Sequence, residues 1–429
     1  MINKLKRIWW SGKLMLARVY YGDPARKLKT VGVTGTNGKT TTATLLYKIA
    51  TALGYKAGLV STVEILIAGE KINTKENTPG TTPDSVFLVK LFSRMAAAGC
   101  EYVFMEVSSH ALDQNRVAGI NFTGGIFTNL THDHLDYHGN LENYFQAKKK
   151  FFDKLPTSAF ALSNADDTHG RVILQHSRAK KFFYGFEDKE VNFKGSIDKL
   201  DFSGLELNFN NEMIKSKLLG KFNAYNLLAV WSACRLLGFD MEGFTSPSPG
   251  GVNKILESIA PPRGRFEHLK APNGALVIVD YAHSPDALEK VLIAAREVLP
   301  VRGKLIALAG CGGDRDPLKR PKIGKIVASL ADIPILTSDN PRSEDPGQII
   351  AEMLTDLSPE DSSKVKTITN RREAIAEAMR LAGSGDIILC AGKGHEDYQE
   401  IKGVRHHFDD REEFEKIFKS NLATLGHQG

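Results

Sequence analysis

The chain has 429 residues, a number that calls for two or three domains, and 42% apolar with 25% charged residues is ordinary for a soluble globular protein. A formal charge of +6 suits anionic small molecules and gives no argument for a nucleic-acid partner. The four cysteines (Cys100, Cys234, Cys311, Cys390) are too scattered for a zinc or dithiol motif and fit a reducing, cytoplasmic setting, while no apolar run is long enough to span a bilayer and no secretion signal is evident.

Residues 1–29 are basic and aromatic, with Lys4, Lys6, Arg7, Trp9, Trp10, Lys13, Arg18, Tyr20 and Tyr21. Leu5, Trp9, Leu16 and Tyr20 share one face at helical spacing. Two readings stand: a helix lying at a membrane interface, and a helix packed on the domain that follows. Residues 31–42 then read as a strand end, a tight glycine turn and the start of a helix. Gly35 and Gly38 permit backbone conformations closed to other residues. Their N–H groups, with a helix N-terminus behind them, form a nest for phosphate oxygens. Lys39 reaches the outer phosphates, and the Thr40 hydroxyl suits Mg²⁺. Val33 stands where the strict phosphate-loop pattern has glycine. Ala43, Leu45, Leu46, Ile49 and Leu53 supply the core-facing period of the helix.

A second strand is expected over 56–63. The loop at 78–84, with two prolines and a glycine, is rigid. It precedes an amphipathic helix (Val86, Leu88, Val89, Leu91, Phe92, Met95), which Thr81 and Thr82 either cap or use to hold an anionic ligand. Residues 102–105 form a buried strand ending at Glu106, where a doubly wound sheet places metal ligands. A strand over 125–130 leads into a loop with His132, Asp133, His134, Asp136 and His138. These read either as a transition-metal cluster or as one ligand to a hard cation among polar neighbours, and beside a phosphate loop the second reading is preferred. The next helix (Tyr144, Ala147, Phe151) carries Lys148, Lys149 and Lys150, which by themselves read as a solvated face.

Strand-like pieces follow at 182–186, 205–209 and 214–219, and a helix opens near Asn226. Two prolines and Arg-Gly-Arg at 261–267 suit an interdomain linker. Beyond it, strands at 276–280, 304–309, 335–338 and 386–391 alternate with helices, the pattern of a Rossmann-like parallel sheet. Each strand ends in a polar motif, at 280–283, 310–316, 339–342 and 392–396, where functional loops of such sheets gather. No Gly-x-Gly-x-x-Gly opens a helix ahead of an acid, which argues against a dinucleotide site.

The order of Thr-Gly-Thr-Asn-Gly-Lys-Thr, Thr-Thr-Pro-Asp, Glu-Val-Ser-Ser-His-Ala-Leu, Thr-Asn-Leu, Asp-His-Leu-Asp-Tyr-His and Gln-Ala-Lys resembles the Mur ligase family from about residue 30 to the C-terminus. These are ATP-dependent amide-forming enzymes of cell-wall peptide synthesis. The chain is most similar to the MurE branch, which adds the third amino acid to UDP-N-acetylmuramoyl-L-alanyl-D-glutamate. The resemblance implies an α/β protein: a central P-loop ATPase domain with a mostly parallel sheet over 30–261, then a Rossmann-like C-terminal domain over 262–429. It implies a cytoplasmic, monomeric enzyme that uses ATP, with a muramoyl peptide and a diamino acid as small-molecule partners.

Roles follow by the same resemblance. Gly35, Thr36, Asn37, Gly38, Lys39, Thr40 and Thr41 would hold the ATP phosphates. Thr40, Glu106 and His134 would hold Mg²⁺, two ions in all. Lys148 matches a lysine that the family carries as a carbamate. Asn226, Arg265 and His283 would contact ATP from across the hinge. Thr81, Thr82, Ser108, Gln114 and Arg116 would hold the muramoyl peptide. Arg315, Asp339, Asn340, Arg342, Gly392 and Glu396 match positions for the incoming amino acid, and Asp-Asn-Pro-Arg resembles the version that takes meso-2,6-diaminopimelate. The family's N-terminal uridine-binding domain has no counterpart in the residues ahead of the phosphate loop. The peptide is then gripped without uridine, with a partner's help, or on a different, lipid-linked carrier, which the basic aromatic start would suit as a peripheral membrane contact. Rival readings are an L-lysine-adding ligase, a folylpolyglutamate-like ligase and a non-catalytic ATP-binding scaffold.

Overall fold

A computed structural model describes residues 14–72, 81–131, 133–243 and 250–425. The chain divides near residue 260 into two units, with Leu200–Gly204 and Leu218–Lys221 belonging to the second.

The first unit is built on a sheet of β1 (Lys29–Thr34), β2 (Ala57–Val60), β3 (Ile65–Ile67), β4 (Glu70–Lys71), β5 (Tyr102–Glu106), β6 (Phe122–Phe127), β7 (Phe160–Asn164), β8 (Lys180–Gly185), β9 (Phe193–Asp201), β10 (Gly204–Phe209) and β11 (Glu212–Ser216). Their order is β11-β10-β9-β8-β7-β6-β1-β5-β2-β3-β4. The run from β2 through β5, β1, β6, β7 and β8 to β9 is parallel. Antiparallel pairs extend both ends. β1 is buried beyond its first residue, as expected of a central parallel strand covered on both faces.

Two glycines bring a helix down onto this sheet. A Cβ on Gly32 would lie 2.7 Å from the Phe151 ring, and one on Gly125 would lie 2.8 Å from it. Phe151 thus packs on bare backbone of β1 and β6 and sets the height of helix Leu141–Asp153, which carries Lys148 one turn earlier. The triple lysine is not a solvated face. Lys148 and Lys149 are buried, and Lys149 pairs with Asp153 at 2.7 Å. The 125–130 strand ends early, at Phe127. Thr128 instead donates its hydroxyl to the Asn37 carbonyl at 2.6 Å, and Leu130 N–H goes to Asp167 at 2.9 Å.

The second unit has a sheet of β12 (Glu267–Lys270), β13 (Leu276–Asp280), β14 (Leu305–Ala309), β15 (Ile333–Leu336), β16 (Lys366–Thr367) and β17 (Ile387–Ala391), ordered β12-β13-β17-β14-β15-β16. All but the β12 pairing is parallel. Alternate residues feed two cores, Leu276 and Ile278 on one face, Val277 and Val279 on the other. A hairpin of β18 (Tyr398–Ile401) and β19 (Val404–His407) follows. Arg371 and Asp410 form a fully buried bidentate pair, 2.7 Å for both contacts. Arg371 also donates to the Ala391 carbonyl at 3.1 Å, which ties the end of β17 to two helices.

Residues 14–20 are helical, with Met15, Leu16, Val19 and Tyr20 at 70–82% exposure and Ala17 buried. Leu5 and Trp9, the other members of that face, lie outside the described residues. Among the described residues no helix is long and apolar enough to cross a membrane.

Candidate active site

The phosphate loop joins β1 to helix Lys39–Ala52. The N-cap is Gly38, at φ 83°, and no side chain caps the helix. Its first-turn N–H groups therefore form an anion site of the kind expected at a bare helix N-terminus. The loop is held from outside. Thr36 N–H donates to the Asn129 carbonyl at 2.8 Å, and Asn37 N–H to Asn129 Oδ1 at 2.9 Å. A Cβ on Gly35 would overlap Thr128 Oγ1, and one on Gly38 would overlap Asn226 Oδ1. Asn226 thus belongs to the loop's own unit and does not reach it from across the linker. Thr40 and Thr41 are buried in the helix's first turn.

Gly35 carries the charge of this region on one atom. Its carbonyl accepts from Lys39 Nζ at 2.9 Å and from Lys148 Nζ at 2.8 Å. Lys39 also donates to the Thr36 carbonyl at 2.7 Å. Lys148 is 1% exposed and lies 4.4 Å from the Tyr144 ring centre. Burial, then the Lys39 charge, hold its ammonium well below the usual lysine range. The buried amine thus stands beside the phosphate loop with its charged form disfavoured.

Glu106 ends β5 at 1% exposure, in register with Val33. Its carboxylate accepts the Thr62 N–H at 2.7 Å and the Thr62 hydroxyl at 3.1 Å. His134 is exposed, at φ 54°, with its ring 4.9 Å from His110. As donor types, a carboxylate, an imidazole and a hydroxyl would suit Mg²⁺ completed by water. Among the described residues no three of His, Cys, Asp and Glu gather as a metal cage. His138 turns instead to Ser109, Nε2 to Oγ 3.0 Å. His132 and the Asp136 side chain lie outside the described residues.

Four of the five residues expected to hold a peptide form one chain of hydrogen bonds. Thr82 Oγ1 donates to the Glu106 carbonyl at 3.0 Å and accepts from Ser108 N–H at 3.0 Å. Arg116 donates to the Thr82 carbonyl at 2.8 Å and to Gln114 Oε1 at 2.6 and 2.9 Å. Thr81 is half-buried beside them. Neither threonine caps the following helix. Asp84 does so, accepting from Val86 N–H at 3.0 Å and Phe87 N–H at 3.1 Å. The Ser108 hydroxyl caps helix Ser109–Asp113.

In the second unit three loops at C-terminal strand ends meet. A Cβ on Gly392 would lie 2.5 Å from Asp339 Oδ2, and one on Gly312 would lie 2.8 Å from Arg342 and 3.7 Å from Arg315. Asn340 Nδ2 donates to Glu396 Oε2 at 2.8 Å. Arg342, at φ 51°, donates to the Gly313 carbonyl at 2.7 Å. All six predicted amino-acid residues therefore lie in one cluster. Arg265 packs on the Tyr281 ring at 4.9 Å, and His283 bonds the Tyr281 carbonyl at 2.8 Å. Sequence reasoning missed Thr62, Asn129 and Lys393. The Thr-Asn pair directly after a strand facing the phosphate loop was the usable signal for Asn129.

The Mur ligase middle domain family matches residues 33–234, and the Mur ligase glutamate ligase domain family matches 264–394. The chain is 52% identical over 409 residues to the UDP-N-acetylmuramoyl-L-alanyl-D-glutamate--2,6-diaminopimelate ligase of Parabacteroides distasonis, covering 95% of this chain and 82% of that one. It is 48% identical to the ligase of the same name from Cytophaga hutchinsonii, covering 96% and 81%. A solved structure of a ligase with that name aligns at TM-score 0.66 and 33% identity, covering 92% of this chain and 79% of that chain. Folylpolyglutamate synthase of Mycobacterium tuberculosis, solved with ADP, aligns at TM-score 0.69 and 20% identity, over 89% and 91% of the two chains, and shows the shared fold alone.

Gly35→Ala tests the loop. Its Cβ meets Thr128 Oγ1, so the loop must shift. Fluorescent-nucleotide titration is expected to show triphosphate affinity down about tenfold or more, with far-UV circular dichroism unchanged. Unchanged affinity would remove the loop from phosphate binding.

Proposed function

The chain belongs to the Mur ligase family, and on that premise we propose that it joins meso-2,6-diaminopimelate to the D-glutamate carboxylate of a UDP-N-acetylmuramoyl-L-alanyl-D-glutamate-type substrate, driven by ATP, in peptidoglycan precursor synthesis. One observation carries the choice of amino acid. Asp339, Asn340, Arg342 and Glu396 gather with Arg315 around Gly312 and Gly392. The distal centre of diaminopimelate bears an ammonium and a carboxylate. Arg315 and Arg342 suit the carboxylate, and Glu396 suits the ammonium. L-Lysine lacks that carboxylate and leaves both arginines unmatched. The fold is shared with folylpolyglutamate synthase and does not separate the two activities; the Asp-Asn-Pro-Arg cluster does.

The chemistry follows from the electrophile. A carboxylate resists attack by an amine. Phosphoryl transfer from ATP converts it to an acyl phosphate, the substrate amine attacks that carbonyl, and phosphate leaves from the tetrahedral intermediate. Such a reaction is accelerated mainly by positioning and by offsetting charge. Residues 35–41 hold the triphosphate, and Lys39 offsets charge on its outer phosphates. Asn226 lies against Gly38 on the same loop. Thr40, Glu106 and His134 would hold Mg²⁺, which when bound would neutralise phosphate charge. The Lys148 amine would add CO₂ with release of a proton, giving a carbamate anion in place of a cation that would oppose bound Mg²⁺; its lowered affinity for protons suits it to this. Arg265 and His283 are nucleotide contacts of the second unit. Thr81, Thr82, Ser108, Gln114 and Arg116 hold the muramoyl peptide, with Arg116 the natural partner of its anionic groups. The four free, buried cysteines suit a reducing compartment where ATP is supplied.

A peripheral membrane contact is a second part of the proposal. Met15, Leu16, Val19 and Tyr20 present an apolar face next to the basic, tryptophan-containing residues 4–13 of the sequence.

Two experiments test these readings. Protein, ATP, Mg²⁺ and the UDP-muramoyl dipeptide are incubated with diaminopimelate or L-lysine, and products are read by mass spectrometry. The diaminopimelate adduct alone is expected, and Arg342→Ala is expected to lower its kcat/KM by about 10- to 100-fold. A lysine adduct alone, or an unchanged Arg342→Ala, contradicts the assignment. In flotation with anionic vesicles the full chain is expected to rise and a chain lacking residues 1–21 to remain below. Equal behaviour of the two rules the contact out.

A further inference from the structure

The mechanism leaves the buried Lys393 without a task. Lys393 follows β17 in the Gly-Lys-Gly-His-Glu motif, and its side chain has no exposed surface. Lysine is almost never fully buried unless paired. Its Nζ donates to the Tyr398 carbonyl. The same Nζ lies 3.5 Å from Asn340 Oδ1 and 3.6 Å from Glu396 Oε2. Glu400 N–H donates to Asn340 Oδ1 at 2.9 Å, while Asn340 Nδ2 donates to Glu396 Oε2 at 2.8 Å. The two ends of an asparagine amide are nearly alike in shape. Here two donors on one side and a carboxylate on the other give the amide a single orientation.

We infer that Lys393 is a positioning residue for the amino-acid substrate: it orients the Asn340–Glu396 pair that receives an ammonium group of the diamino acid. This rests on the reading of the second unit as the diamino-acid site. Lys393 does not touch the substrate. It acts through Asn340, which it turns, and through Glu396, whose charge it balances. The charged neighbours of Glu396 are few. Asp339 opposes it, Lys393 supports it, and the Tyr281 and Tyr398 hydroxyls lie near it, with the His395 ring packed on Tyr281. Burial, then Asp339, raise the Glu396 carboxyl above its ordinary value, and Lys393 and Asn340 pull it back.

The sign of the pH effect follows. An ammonium is held by ionised Glu396, so affinity for the diamino acid falls as pH drops through the Glu396 pKa. Without Lys393 that pKa rises, and the acidic limb of kcat/KM moves to higher pH. Lys393→Met is measured in the full chain with ATP, Mg²⁺ and the UDP-muramoyl dipeptide, varying diaminopimelate and pH. The KM for diaminopimelate is expected to rise about tenfold or more. The kcat at saturation and the KM for ATP stay unchanged, and the acidic limb shifts upward. Glu396→Gln, close in shape, is expected to lose that limb, and adding Lys393→Met to it brings no further pH effect. A purely structural lysine would lower kcat and weaken ATP use together, with the limb in place, and that result overturns the inference. So does a limb that persists in Glu396→Gln, which keeps the test decisive even if Lys393→Met does not fold. A wild-type chain that makes no diaminopimelate adduct defeats the parent reading instead.

Discussion

Two lysine amines meet on one backbone oxygen, the carbonyl of Gly35, at 2.9 and 2.8 Å. Bringing two ammonium groups that close costs free energy, and one of them is buried besides. Much of the first unit's construction serves to hold them there. Glycines at 32 and 125 let Phe151 sit on bare strand, which brings Lys148, one helical turn earlier, against the loop. Thr128 and Asn129 pin the loop from the neighbouring strand end. Gly35 has no room for a side chain because Thr128 occupies it. The arrangement disfavours the charged form of Lys148 and favours an anion at the helix N-terminus.

On the reading proposed for the second unit, its loops meet a different requirement by similar means. Recognition of a zwitterionic centre needs cations and anions side by side without collapse onto one another. Backbone holds them apart: Arg342 gives a hydrogen to the Gly313 carbonyl at 2.7 Å, and Gly392 is pressed against Asp339. The buried Arg371–Asp410 pair anchors the end of β17 from which the Gly392 loop departs. Removing one member of such a pair leaves an uncompensated buried charge, so the loops stand on a base with little freedom to relax.

Much of this was legible in the chain. The phosphate loop, Glu106 at a strand end and the four polar strand ends of the second sheet are local patterns whose spacing carries the chemistry. What escaped is long-range. Lys149 looked solvent-facing because nothing in its neighbourhood announces His176, 3.2 Å away. Capping was one of two readings left open for Thr81 and Thr82; the Thr82 hydroxyl is taken by the end of β5, and Asp84 caps the helix. Asn226 was assigned across the linker, although the loop it touches is in its own unit. Lys393 carries no local signal, because burial of a lysine depends on partners 53 residues upstream, at Asn340, and no periodicity encodes that.

The most direct test of the account follows an oxygen atom. The reacting D-glutamate carboxylate is labelled with oxygen-18, the reaction is run with ATP, Mg²⁺ and diaminopimelate, and the released phosphate is examined by mass spectrometry. An acyl phosphate predicts one labelled oxygen in the phosphate for each amide formed. Amide formation with unlabelled phosphate would contradict it.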